Sequence, residues 1–77
     1  MDIDSAAVRF HNKAITEAII EASPNGNGWR ILFHKVDGDM IALTDNSGME
    51  KLYHTLDHAT ELLQSAGIKT IRVEEHF

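Results

Sequence analysis

A chain of 77 residues has room for one small domain, and at that size a hydrophobic core is marginal, so folding leans on tight packing, a staple or a partner chain. The absence of Cys excludes a disulfide framework and thiolate metal sites, and no apolar run nears the roughly 20 residues that span a bilayer. Lys and Arg total 7 against 12 acidic residues, the net charge is −5, and the scattered cations form no basic stripe, which argues against autonomous DNA or RNA binding.

The opening residues, Met1 to Phe10, are acidic where a secretory signal would be basic, so the expectation is a cytoplasmic chain forming one domain over residues 1–77. Asp4 or Ser5 can cap a first helix running to about Ala22. Val8, Ile15, Ile19 and Ala22 recur at helical spacing, flanked by Ala7, Ala14 and Ala18, with His11 in the same arc. Arg9, Lys13, Glu17 and Glu21 would form its solvated face. Phe10 and Ile20 fall off the arc, which makes them candidates for a partner surface. Pro24 and the glycines of Ser23 to Gly28 end this helix. Gly26-x-Gly28 is no phosphate loop, because such a loop opens onto a helix N-terminus and here a strand follows.

Trp29 to Asp45 reads as a hairpin closed by Asp37-Gly38. A two-residue loop at that pair sets Lys35 opposite Met40, Phe33 opposite Ala42 and Arg30 opposite Asp45. Alternation then gives one face of Leu32, His34, Val36, Ile41 and Leu43, and another of Trp29, Ile31, Phe33, Met40 and Ala42. Both faces are apolar. If two helices cover the Leu32/Leu43 face, then Trp29, Ile31, Phe33 and Met40 are left as a patch that a symmetric dimer would bury. After a second turn at Asp45 to Gly48, Met49 to Tyr53 forms a short third strand. Thr55 caps a second helix with Asp57 in its first turn and Leu56, Ala59, Leu62, Leu63 and Ala66 as its apolar stripe. Gly67 stops that helix, Ile68 folds back on it, and Ile68 to Glu75 is a final strand on an edge.

Residues with chemical potential have ordinary explanations here. His54 and His58 have the i, i+4 spacing of a metal pair, with Glu61 or His76 as a third ligand, but His54 precedes the helix cap. His11 and His34 read as rim histidines. Asp37, Asp39 and the serines belong to turns and caps, and the pairing of nucleophile and base that an enzyme needs is not visible. No catalytic residue, cofactor-binding residue or cofactor is expected.

Three resemblances follow from the element order. A double-stranded-RNA-binding domain runs similarly, but the start of its second helix is Lys-rich, and Thr55-Leu56-Asp57-His58-Ala59 carries an acid there. Leu32 to Leu63, with the Asp37-Gly38 hairpin and Thr55-Leu56-Asp57-x-Ala59, resembles a HicB-type antitoxin domain, which would imply a toxin partner. Gly28-Trp29, Thr55-Leu56-Asp57 and Gly67-Ile68-Lys69 together resemble small accessory proteins of bacterial plasmids and integrated elements, which mostly lack an assigned activity. The expectation is a two-layer α+β fold, ordered helix, three-stranded antiparallel meander, helix, final strand (α-β-β-β-α-β). Its expected role is that of a non-enzymatic module partnered by itself, as a homodimer, or by another protein, with no membrane contact. The contact residues would be Trp29, Ile31, Phe33 and Met40, then Phe10 and Ile20. A His-based metal-binding protein is the further alternative.

Overall fold

In the computed structural model, residues 1–24, 26, 28–45 and 47–74 are described. The fold is α+β, with helices α1 (Ile3–His11) and α2 (Leu56–Ser65) and five strands, β1 (Ile15–Ala22), β2 (Trp29–Lys35), β3 (Met40–Ala42), β4 (Leu52–Tyr53) and β5 (Ile71–Glu74). The expected order of a helix, antiparallel strands, a helix and a final strand holds. The sheet runs β3-β2-β1-β5, with β4 pairing β2 alongside β3. β1 and β5 are parallel and every other pairing is antiparallel.

The first helix is half the expected length. Asp2, not Asp4 or Ser5, caps it, its Oδ1 accepting from the Ser5 N–H at 2.8 Å. The stop lies at Asn12-Lys13. The Lys13 N–H donates to the Phe10 carbonyl at 3.1 Å and the Ala14 N–H to that of Arg9 at 2.8 Å, with Lys13 left-handed at φ 66°. This is a Schellman motif, and Gly is the usual residue at its left-handed position. Residues 15–22 then form a central strand rather than helix. Ile15, Ile19 and Ile20 are β-branched, and in a strand Ala18 and Ile20 fall on one face with Ile19 on the other. Ile20, which fits no helical arc, is 0 % exposed as a strand residue.

The hairpin register differs by one residue. His34 faces Met40, Phe33 faces Ile41 and Leu32 faces Ala42. The Gly38 N–H donates to the Lys35 carbonyl at 3.0 Å and the Lys35 N–H to that of Asp39 at 2.8 Å. Val36-Asp37-Gly38 is therefore a three-residue loop with Gly38 at φ 98°, a turn followed by a left-handed bulge residue. Because side chains alternate, the slip turns all of β3 over. Ile41 and Leu43 join Ile31 and Phe33, whereas Met40 and Ala42 join Leu32 and His34.

Residues 44, 45 and 47–51 form a small excursion from the sheet. Its stem carries the Thr44–Glu50 bridge, and the Thr44 N–H donates to the Met1 carbonyl at 2.8 Å. Asp45 Oδ1 accepts from the Ser47 and Met49 N–H groups and the Ser47 hydroxyl, so Asp45 organises the tip and does not pair with Arg30 as expected. The third strand is only Leu52–Tyr53. α2 matches expectation. Thr55 Oγ1 accepts from the His58 N–H at 3.1 Å, and after Gly67 the Ile68 N–H donates to the Leu63 carbonyl at 2.9 Å. Asn25, Asn27, Asn46, Glu75 and His76, named within turns and at the final strand's end, lie outside the described residues.

Both helices pack on the Trp29/Ile31/Phe33 face, the reverse of the face expected to be covered. Ala6, Ile15, Ala18, Ile20, Ile31, Phe33, Leu43, Ala59, Leu63 and Ile68 form one buried cluster. No helix among the described residues is long and apolar enough to cross a membrane.

Candidate functional site

Among the described residues, no helix lies over the opposite sheet face. The pairings arrange its side chains as a grid. One row is Met40, His34 and Glu17. The next is Ala42, Leu32, Ile19 and Arg72. The third is Leu52, Arg30, Glu21 and Glu74. The β3/β4 side of the grid is apolar and the β5 side is charged.

The charged side is knit together. Arg30 Nε lies 2.9 Å from Glu21 and 3.6 Å from Glu50, the latter at the foot of the excursion. Arg72 Nη2 sits 3.1 Å from Glu17 and 3.2 Å from Glu74, and His34 Nδ1 is 3.6 Å from Glu17. Arg72 is the grid neighbour of Ile19, and reaching both carboxylates carries its aliphatic stem alongside that residue. Ile19 is only 2 % exposed, flanked on the grid by Leu32 and Arg72. Ion pairs on a wet sheet face contribute little stability themselves. Here their side chains serve as the cover of a central isoleucine.

The apolar side is less protected. Met40 is 45 % and Leu52 40 % exposed, and Leu32 is half-buried between them. The expected contact set is thus divided. Ile31, Phe33 and Ile20 are fully buried in the core, and Trp29 and Phe10 are partly buried against it. The four strand residues among them cannot form an exposed sheet patch, because the helices occupy their face, and Phe10 lies on α1 itself. Met40 alone remains exposed, on the opposite face that the one-residue slip assigns it. The residues missed were Leu32, Ala42, Leu52 and Ile19. Knowing that Asp-Gly can end a three-residue loop as well as fill a two-residue one would have found the first two.

Of the candidate histidine pair and its possible third ligands, His76 lies outside the described residues. His54 precedes the Thr55 cap, His58 lies in the first turn, and both are exposed, as is Glu61. Among the described residues no group of three or more His, Asp or Glu side chains could hold one metal ion. No protein-family model, curated protein or solved structure matches this chain, so the site is read from its own geometry.

Proposed function

We propose that this chain is a non-enzymatic interaction module that associates with a second copy of itself through the open sheet face. The observation that carries this is the half-apolar grid of Leu32, Met40, Ala42 and Leu52 on the one face that the chain's own helices leave bare. Two such faces can stack about 10 Å apart with their strands nearly aligned. A two-fold axis along the β2–β3 seam sets apolar half on apolar half and leaves Glu17, Arg72 and Glu74 as a hydrated rim, the usual anatomy of an interface.

Magnitude decides what kind of dimer this is. The overlapped halves, two strands about 4.8 Å apart and three rows about 7 Å apart, give a footprint of roughly 200 Å² per copy, a quarter of the ~800 Å² per partner in a standard stable interface. The core is complete within one chain. The association is therefore weak and reversible, with a dissociation constant of about 0.1 mM or above. Each copy carries net charge −5, so salt strengthens it by screening repulsion.

Sedimentation velocity over a concentration series at low and high salt tests this. Reversible dimer formation that rises with salt is expected, and Leu52→Lys or Met40→Lys should abolish it without lowering the melting temperature. A single monomeric species up to about 1 mM at both salt levels would sink the reading.

A further inference from the structure

A groove of about 610 Å³ opens on the helical layer, where the ends of α1 and α2 meet the start of β1. Its volume is in the range of small-molecule sites. Phe10, Ile15 and Ala66 give it an apolar floor, and His11, Lys13 and Lys69 stand on its rim. The lining holds two of the chain's 7 Lys and Arg and none of its 12 Asp and Glu. In so acidic a chain that is a local reversal of charge.

Lys13 is also the only non-glycine residue with positive φ among the described residues. Gly would satisfy the same helix stop without steric conflict. Holding Lys there sets a cation at the groove's edge, and strained backbone of this kind collects at binding sites. The two helix C-termini turn partial negative charge toward the region. The capping bonds already engage the carbonyls of Arg9, Phe10, Leu63 and Gln64, and two full ammonium charges outweigh what is left.

We propose that this groove binds an amphiphilic monocarboxylate, its acyl or aryl body lying on Phe10, Ile15 and Ala66 and its carboxylate held by Lys13 and Lys69. The site is separate from the open sheet face, and its test reads different residues.

The test is an amide-resolved NMR titration of the full chain with decanoate below its micelle concentration, run beside decanol and decylamine. Saturable shifts at Phe10, Lys13, Ala66, Gly67 and Lys69 are expected with decanoate, while Met40 and Leu52 stay still. Decanol should bind at least about threefold more weakly and decylamine more weakly again. Lys69→Ala and Lys13→Gly should each weaken decanoate about three- to tenfold. Lys13→Gly should also melt no lower than the parent chain, which separates lost recognition from lost folding. Equal binding of decanoate and decanol, or lysine variants that bind as the parent does, would overturn the proposal. So would groove shifts that follow protein concentration in place of ligand, because a second copy would then be the occupant.

Discussion

Gly28 stands where the β1–β2 connection enters the sheet, with φ 146°. A Cβ there would lie 2.7 Å from the Tyr53 carbonyl oxygen and 3.4 Å from its carbon, both backbone atoms of β4. Backbone cannot swing aside as a side chain can. Gly28→Ala must therefore either push β4 off the Trp29–Tyr53 pairing or distort the turn. The expected cost is about 1–3 kcal/mol, a fall in melting temperature of roughly 5–15 °C at this chain length. Gly26 is the internal control. It has φ 71° but nothing within 4 Å of where an added Cβ would sit, so Gly26→Ala carries only the left-handed penalty of about 1 kcal/mol. Thermal melts in which Gly26→Ala is the more damaging variant would contradict the close approach to β4. Lys13 is the counter-case, a residue whose conformation asks for glycine and does not have it. That absence hid the end of α1, since the sequence carries no glycine or proline between Ser5 and Ser23 to mark a stop.

Elements were legible in the sequence where local chemistry and tertiary packing agreed. α2 has its Thr cap, its acid in the first turn and its Gly67 stop, and each works as its chemistry suggests. β1 was not legible, because Ile15, Ala18, Ile19 and Ala22 satisfy a helical arc, while the adjacent Ile19 and Ile20, which a strand sends to opposite faces, fit that arc less well. The hairpin was legible but its register was not, because Asp37-Gly38 serves either loop length. The excursion around Asp45 holds a device that was legible in part, the turn at that residue. Its carboxylate accepts the Ser47 hydroxyl and the Met49 and Ser47 N–H groups, which hold its pKa below the ordinary 3.8. Asp37 and Asp2 are lowered likewise, chiefly by the Asp39 and Ser5 N–H groups. A carboxylate more acidic folded than unfolded favours the folded state above its unfolded pKa, and that contribution is lost as pH falls through the folded value. The stability contributed by these three carboxylates should thus be flat from about pH 7 to pH 5 and decline below about pH 4. Asp45→Asn removes one of the titrating groups, so the urea midpoint of that variant should fall less steeply than the parent's as pH drops below about 4. Identical acid slopes would show that Asp45 is not held in its charged form by the turn.

At the scale of the whole molecule, one sheet face is closed by helices, and one half of the other carries a lattice of charged side chains. The two covers differ in kind. Removing a helix would unfold the chain, whereas the lattice can be thinned one side chain at a time. Arg72 is the informative member, lying beside Ile19 and reaching Glu17 and Glu74. Arg72→Ala should cost the monomer about 1 kcal/mol or less, since the ion pairs are solvent-screened. It should also uncover part of Ile19 next to the Leu32/Met40/Leu52 patch. Exposing about 20 Å² of apolar surface on each of two copies, buried again on association at about 25 cal/mol per Å², is worth about 1 kcal/mol, or roughly fivefold in affinity. The substitution moves the net charge from −5 to −6 per chain, which opposes association, so the comparison belongs at high salt, where that repulsion is screened. Sedimentation at about 0.5 M salt should then show the variant associating more tightly than the parent while its urea midpoint barely changes. Weaker association with intact folding would mean that Arg72 itself crosses the interface, and the charged half of the grid, not the apolar half, would be where the two copies meet.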